Sequence, residues 1–218
     1  AHAHGVWVAP HHGDLNIVYG MNALDDAYAP EKVGFVKGYD AELNPTAVHT
    51  AAKANYTTVH SDNAAVLAVF FDNGYWEKND KGRWQAVDKN QISRPADTST
   101  SLKYNISVLK NYQGRLKPLA GLPVQIIPDS DPSALKQGET LAVTVYVDGK
   151  PAADVPVIAD YIGNSAEKVQ TDAQGRARLT VRNSALNVVA AMVNHPTPND
   201  AYAHLQRSVA TLSFKAAK

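Results

Sequence analysis

Four of the eight histidines lie within the first twelve residues, and no other residues of the chain are as well placed for chemistry. Neutral imidazole is a common ligand for borderline transition metals, because it offers a lone pair at physiological pH. If Ala1 is the first residue of the mature protein, its α-amine, the amide nitrogen of His2 and the His2 imidazole can form two fused chelate rings. Three nitrogen donors of this kind favour square-planar Ni²⁺ or Cu²⁺, and one further imidazole completes the plane.

Other histidines are candidates for the remaining ligands. On an extended chain, His4 would point to the same side as His2. His12 directly follows another histidine, and neighbours on an extended chain point to opposite sides, so we expect only one of that pair at the site. His60 ends a predicted strand and is the first choice for the closing ligand. His49 is the second choice.

The mature terminus can be placed in two ways. Ala1 at the start is typical of a chain from which a signal peptide has been removed, but Ala1-His2-Ala3 also fits a small-x-small cleavage site, which would leave His4 at the terminus. A terminal histidine with a second histidine is the arrangement that holds copper in oxidative polysaccharide-cleaving enzymes, so a copper enzyme is one alternative. A start of this kind can also be a processing remnant or part of a purification tag.

The known catalytic sequence patterns GxSxG, HExxH, GxGxxG and the P-loop are all missing. We therefore predict that the protein is not an enzyme.

The composition excludes several classes of function. The 218 residues include 21 basic and 21 acidic side chains, so no excess of positive charge attracts nucleic acid or anionic lipid. No apolar run approaches the ~18 residues of a membrane span, so we expect no membrane insertion. The chain has no cysteine, which rules out disulfides, thiolate metal sites and cysteine nucleophiles. A cysteine-free chain is compatible with the periplasm.

The hydrophobic pattern mostly has a period of two, which indicates β-strands. Residues 6–8 and 15–19 are predicted strands joined by a turn. Residues 56–60 and 65–71 are also predicted strands, with residues 61–63 as the turn between them.

The C-terminal part predicts about six strands with turn signals every ~8–12 residues, which is typical of an Ig-like sandwich. Residues 100–109 fit either a helix face or a strand, and we favour a strand because β-branched and aromatic residues are plentiful there. Proline, glycine and aspartate interrupt the strand pattern over residues 110–135, so we place a domain boundary near residue 130.

We therefore predict an all-β protein with two β-sandwich-like domains. Residues 1–129 carry the histidine-rich site, and residues 130–218 form the Ig-like sandwich.

Two further groups of residues could bind a ligand. Asp25 and Asp26 are interpreted as a loop with a possible cap rather than as a catalytic carboxylate pair. Tyr75, Trp76 and Trp84 could form a sugar-binding platform, although cross-strand aromatic packing explains the same pattern. An adhesion or glycan-binding module is therefore another alternative.

Several stretches resemble the periplasmic component of nickel/cobalt uptake systems, a NikM-like family. They are residues 3–8 (AHGVWV), 12–20 (HGDLNIVYG), 26–33 (DAYAPEKV), 72–76 (DNGYW), 149–151 (GKP) and 171–175 (TDAQG). The N-terminal stretches are fairly specific, whereas the last two recur in many secreted β-sandwiches. The resemblance spans nearly the whole chain.

The resemblance implies a secreted, periplasmic, non-enzymatic protein that binds Ni²⁺ or Co²⁺ and assists uptake. In membrane-embedded nickel-uptake subunits, the terminal amine, the amide and imidazole of the second residue and one further histidine hold the metal. Here Ala1 and His2 match the first three donors, while His4 and His12 fall in the matching stretches and compete with His2. Because this chain lacks a membrane helix, we expect it to pass its metal to a membrane transporter. Copper or zinc handling is the alternative, since affinity order alone favours Cu²⁺.

Overall fold

A computed structural model describes residues 4–11 and 13–218. These residues form β-strands joined by turns and single-turn 3₁₀ helices, so the predicted all-β fold is confirmed. The strands, in chain order, are β1 (Gly5–His11), β2 (Asp14–Gly20), β3 (Val33–Tyr39), β4 (Pro45–Thr46), β5 (His49–Ala52), β6 (Thr57–His60), β7 (Val66–Lys78), β8 (Trp84–Val87), β9 (Thr98–Val108), β10 (Val124–Pro128), β11 (Thr140–Val147), β12 (Lys150–Pro151), β13 (Pro156–Asp160), β14 (Asn164–Gln170), β15 (Arg176–Thr180), β16 (Leu186–Pro196) and β17 (Leu205–Lys215). The 3₁₀ helices are Pro30–Lys32, Lys89–Gln91, Pro95–Asp97 and Pro132–Ala134.

The first sheet contains four strands in the order β1-β2-β6-β5. As predicted, β1 and β2 form an antiparallel hairpin, in which Gly5 lies opposite Gly20 and His11 lies opposite Asp14. Gly13, in the turn, has a φ of 85°, a left-handed conformation that glycine adopts without steric cost. The hairpin therefore fixes the chain immediately after His4.

The largest sheet has nine strands in the order β14-β13-β16-β17-β9-β7-β3-β4, with β8 added to β7. Residues 100–109 lie largely in β9, so the choice of strand over helix is confirmed. Residues 61–63 connect the two predicted strands, which do not pair with each other, because β6 joins the first sheet whereas β7 joins the nine-stranded one. The turn passes the chain between two layers instead of closing a hairpin.

Alternate residues of β7 and β9 face two different layers. Leu67, Val69 and Phe71 pack against the first sheet, whereas Val66 and Ala68 pack against a third sheet formed by β10, β11, β12 and β15. The nine-stranded sheet is consequently the middle layer of three and is buried on both faces. Burial on both faces explains why β9 does not show a simple alternation of polar and apolar residues.

The predicted boundary near residue 130 falls between strands that pair with each other. β10 lies before it and pairs with β11 after it, while β9 pairs in parallel with β17. One hydrophobic cluster includes residues from both sides of the boundary. The predicted segments 1–129 and 130–218 thus share a sheet and a core. The Ig-like topology of the second segment stays a prediction.

Within the described part of the chain, no helix is long and apolar enough to cross a membrane.

Candidate metal centre

His4 lies directly before β1 and is held in the interior at the edge of the first sheet. Its side chain is only 9% exposed. The imidazole packs on the ring of Tyr19, with 4.7 Å between ring centroids, and Tyr19 in turn stacks on Phe71 at 5.3 Å. This aromatic column fixes the orientation of the His4 ring.

Asp26 binds one of the two ring nitrogens of His4. The distance from His4 Nε2 to Asp26 Oδ2 is 2.6 Å. Because a carboxylate only accepts hydrogen bonds, Nε2 carries the proton in the neutral ring, and Nδ1 keeps its lone pair. His4 Nδ1 is buried and has no hydrogen-bond partner among the described residues. A histidine whose second ring nitrogen donates to a carboxylate is the usual arrangement of a metal ligand in proteins.

The loop after β2 brings Asp26 to this position. Asp26 forms an isolated bridge with Tyr19, in which its backbone N–H donates to the Tyr19 carbonyl at 2.8 Å. Gly20 begins this loop, and a Cβ there would lie 2.0 Å from the Leu24 carbonyl oxygen. Only glycine therefore allows the loop to pass so close to the strand.

Tyr28 anchors the other end of the loop. Its hydroxyl accepts from the Thr57 N–H at 2.9 Å and donates to the Ile17 carbonyl at 2.7 Å, which connects β6 to β2. Burial raises the pKa of Tyr28. The neutral phenol needed for this donation is consequently the stable form at physiological pH.

A chain of hydrogen bonds holds Tyr19 beneath His4. Lys32 Nζ donates to Asn73 Oδ1 at 2.9 Å, and Asn73 Nδ2 donates to the Tyr19 hydroxyl at 3.0 Å. Burial raises the pKa of Tyr19 and lowers the pKa of Lys32. Tyr19 is therefore a neutral ring that supports the imidazole and not an anionic ligand.

A polar cavity of about 200 Å³ lies next to the carboxylate of Asp26. Its lining includes Asp25, Asp26, His11, Asn16 and Tyr56. Oxygen and nitrogen atoms dominate this set of side chains, so the cavity is suited to water or a hydrated ion. Asp26 thus connects the buried imidazole with a solvent-accessible acidic cavity.

The structure does not bring His49 or His60 to His4. His4 lies just before the pair Gly5–Gly20, whereas His60 lies just beyond the pair of Val59 with Leu15, at the other end of β2. At ~3.4 Å per residue of strand, about 20 Å separates them. His60 is therefore not the closing ligand of a metal held by His4. The same is true of His49, which lies opposite His60.

Three of the predicted ligands, Ala1, His2 and His12, lie outside the described residues. Within residues 4–11 and 13–218, no group of three or more histidine, aspartate or glutamate side chains is arranged to hold a metal ion. His4 and Asp26 alone therefore do not make up a metal site within the described residues.

The aromatic residues proposed as a sugar platform contact other side chains. The guanidinium of Arg207 lies 4.6 Å from the ring centroid of Trp84, and Lys78 Nζ lies 5.3 Å from it. Trp76 Nε1 donates to the Asn73 carbonyl at 3.0 Å. These contacts favour the structural interpretation of the aromatic residues over sugar binding.

Sequence reasoning identified His4 but not its partner. Asp26 was interpreted as a loop residue, which it is, but its contact with a residue 22 positions earlier depends on the bridge to Tyr19. The DAYAP stretch supplied a signal only through its resemblance to other sequences. No rule of sequence spacing would have connected His4 with Asp26.

Comparison with protein families matches residues 1–195 to a family described as a domain of unknown function, DUF4198. No curated protein and no solved structure matches the chain. Since the family description specifies no ligand, the functional argument depends on the residues described above.

Proposed function

The chain belongs to the DUF4198 family, and we propose that it is a periplasmic protein that binds Ni²⁺ or Co²⁺ and assists the uptake of the metal. The observation that carries the proposal is the pairing of His4 with Asp26 at 2.6 Å, which leaves a second nitrogen on a buried imidazole with no partner among residues 4–11 and 13–218. An unpartnered buried acceptor is costly to the folded state. A bound metal ion would satisfy it.

The remaining donors come from the residues that precede His4 in the sequence. In a protein that begins at Ala1, the α-amine, the His2 amide and the His2 imidazole supply up to three nitrogens. Together with His4 Nδ1 they make a nitrogen-only set, which favours Ni²⁺ and Cu²⁺ over Mg²⁺ or Ca²⁺. The resemblance to nickel/cobalt uptake components, noted from the N-terminal stretches, favours nickel or cobalt within this group. The NikM-like assignment is part of the proposal.

Asp26 has a specific role in the proposed site. Its carboxylate holds the imidazole in the tautomer that binds metal through Nδ1 and makes that nitrogen more basic. It also adds a negative charge beside the cation. Removing such an outer carboxylate typically lowers metal affinity by about 10–100-fold.

The experiment is a calorimetric titration of Ni²⁺, Co²⁺, Cu²⁺ and Zn²⁺ into protein whose first residue is verified by mass as Ala1. Four variants are compared with the parent: H2A, H4Q, D26N and the control H195Q. The glutamine of H4Q can still donate to Asp26, so the loop is preserved. At the tightest site we expect one ion per chain, loss of at least tenfold affinity in H2A and H4Q, a loss of about 10–100-fold in D26N, and no change in H195Q.

Two outcomes would redirect the proposal. Equal nickel binding by the parent and H4Q would remove His4 from the site. Binding of Cu²⁺ or Zn²⁺ at His4 without measurable binding of Ni²⁺ or Co²⁺ would replace uptake of nickel or cobalt by handling of copper or zinc.

The proposed fate of the metal is transfer to a membrane transporter. Nickel or cobalt held by exchangeable nitrogen ligands near a chain terminus can pass to another set of nitrogen ligands without unfolding the carrier. Because protons compete with metal for imidazoles, whose ordinary pKa is ~6.5, release should become easier as the pH falls toward 5.

A further inference from the structure

Side chains from four strands converge at the turn end of the first sheet, away from His4. His11 of β1 lies opposite Asp14 of β2, and His60 of β6 lies opposite His49 of β5. The register of β2 with β6 continues one residue further to place Asp14 level with His60. Residues opposite each other in a sheet project from the same face. The row His11, Asp14, His60 and His49 therefore crosses the sheet on one face.

His49 of β5 and His60 of β6 lie directly opposite each other in this row. Directly opposite residues have Cβ atoms about 4.5–5.5 Å apart. Metal–nitrogen bonds are about 2.0–2.1 Å long, so two imidazoles on such a pair can reach a single ion. His49 and His60 are both exposed, so an ion from solvent can reach both imidazoles.

Asp62 already holds one of these imidazoles. The distance from His60 Nε2 to Asp62 Oδ1 is 3.0 Å. As at His4, the ring nitrogen facing the carboxylate carries the proton, and Nδ1 keeps a lone pair for a metal. Among the residues that the structure describes, a carboxylate–imidazole pair thus occurs once in the interior, at His4, and once at the surface, at His60.

We propose that His49 and His60 form a second, surface site for a borderline divalent metal ion, with Zn²⁺ as the probe. Asp62 orients His60, Asp14 lies one strand away and can add an oxygen, and water completes the coordination. The ion connects β5 to β6. β5 is the edge strand of its sheet, and all four of its residues are exposed.

This site is independent of the proposed function. The length of β2 separates it from His4, so each site can be removed without altering the other. The second site is also expected to be weaker, because its two imidazoles are exposed and are not held in place by packing.

The experiment measures Zn²⁺ binding in the full chain carrying both H2A and H4Q, so that both imidazoles of the first proposed site are removed. H49Q and H60Q are added singly and together, with H195Q as the control. Both positions are exposed, so neither substitution should change the fold, which circular dichroism verifies. We expect one zinc ion per chain, a loss of at least tenfold affinity in H49Q and in H60Q, and no change in H195Q.

A second readout is the melting temperature. Because an ion that binds only the folded state stabilises it by mass action, zinc should raise the melting temperature of the H2A/H4Q protein but not of H2A/H4Q/H49Q. No zinc binding in the H2A/H4Q background, or affinity retained in either H49Q or H60Q, would overturn the proposal. Neither result would alter the outcome of the nickel titration at His4, which uses different variants.

Discussion

Lys103 shows that not every buried polar side chain in this protein has a role like that of His4. The lysine is only 1% exposed, and it pairs with Phe71 on one side and Val209 on the other in the middle sheet. Within the described residues, no carboxylate forms an ion pair with it. Burial, together with the positive charge of Arg207, lowers the pKa of Lys103 to about 7.

The low pKa of Lys103 makes stability depend on pH. In the unfolded chain a lysine keeps its proton up to a pKa of ~10.4. Between pH 7 and pH 10 the unfolded state therefore binds more protons than the folded state, so this residue makes stability rise with pH. Below pH 7 the folded protein bears the full cost of a buried charge.

Replacing Lys103 by methionine should therefore stabilise the protein, and by more at pH 6 than at pH 9. Methionine has a similar shape and needs no partner, and exchanging buried charge for an apolar side chain often gains about 1–4 kcal/mol. Urea denaturation of the parent and of K103M at both pH values measures the difference. A loss of stability at pH 6 would show that the amine has a stabilising partner.

The sequence indicates which residue types could have a function more readily than it indicates which other residues they contact. His4 was a candidate because histidine near a terminus binds metals. Asp26 and Lys103 were not recognised, because their roles depend on contacts made across strands. A lysine within a β-rich stretch is normally assumed to lie on the surface, and only the covering of both faces of β9 places it in the interior.

A buried polar network joins three strands between the first and middle sheets. Asn105 of β9 donates to Thr211 and Ser213 of β17 at 2.9 and 3.2 Å, and Ser107 donates to Asn105 Oδ1 at 2.7 Å. Thr211 also donates to the Val6 carbonyl of β1. The network therefore fixes β1, and with it His4, on the middle sheet.

Substituting Asn105 by alanine should destabilise the protein by about 1–3 kcal/mol, because its hydroxyl partners become unsatisfied in the interior. Chemical denaturation measures the change. Thr180→Ala, at an exposed position on β15, is the control and should change stability by no more than about 0.5 kcal/mol. An equal effect of both substitutions would contradict the assigned role of the network.

Strand positions could largely be predicted from the sequence, but strand partners could not. The β1–β2 hairpin was identified because a short turn makes the pairing local. At residues 56–71 the two strands and the turn between them were predicted, but not the sheet that each strand joins, and the two strands belong to different layers. Both stretches alternate similarly, and the sheet that receives each strand is decided by residues far away in the chain, such as those of β2 and β9.

At the scale of the whole molecule, the middle of the three layers is a sheet to which both halves of the chain contribute strands. β9 and β17 pair in parallel over ten residue positions, from Leu205–Ser99 to Phe214–Val108. The two strands lie far apart in the sequence, and no change in amino-acid composition along the chain indicates that they pair. The proline- and glycine-rich residues 110–135 suggested a domain boundary. In the structure they contain β10, which belongs to the third layer.

Residues 1–129 expressed alone should not fold cooperatively. Without β17, the middle sheet loses the partner of β9, and without β11 and β15 one of its faces is uncovered. Thermal denaturation followed by circular dichroism, together with the dispersion of amide NMR signals, tests this expectation against the full chain. A sharp unfolding transition and dispersed signals in the fragment would instead establish an independent domain.

The most direct test of metal binding at His4 is to locate the ion. Crystals of the protein beginning at Ala1 are soaked in Ni²⁺ and measured at the nickel absorption edge. We predict an anomalous peak about 2.0–2.1 Å from His4 Nδ1, a distance typical of metal–imidazole bonds, with Asp26 still bound to Nε2. Nickel found only elsewhere, for example between His49 and His60, would contradict the proposed function.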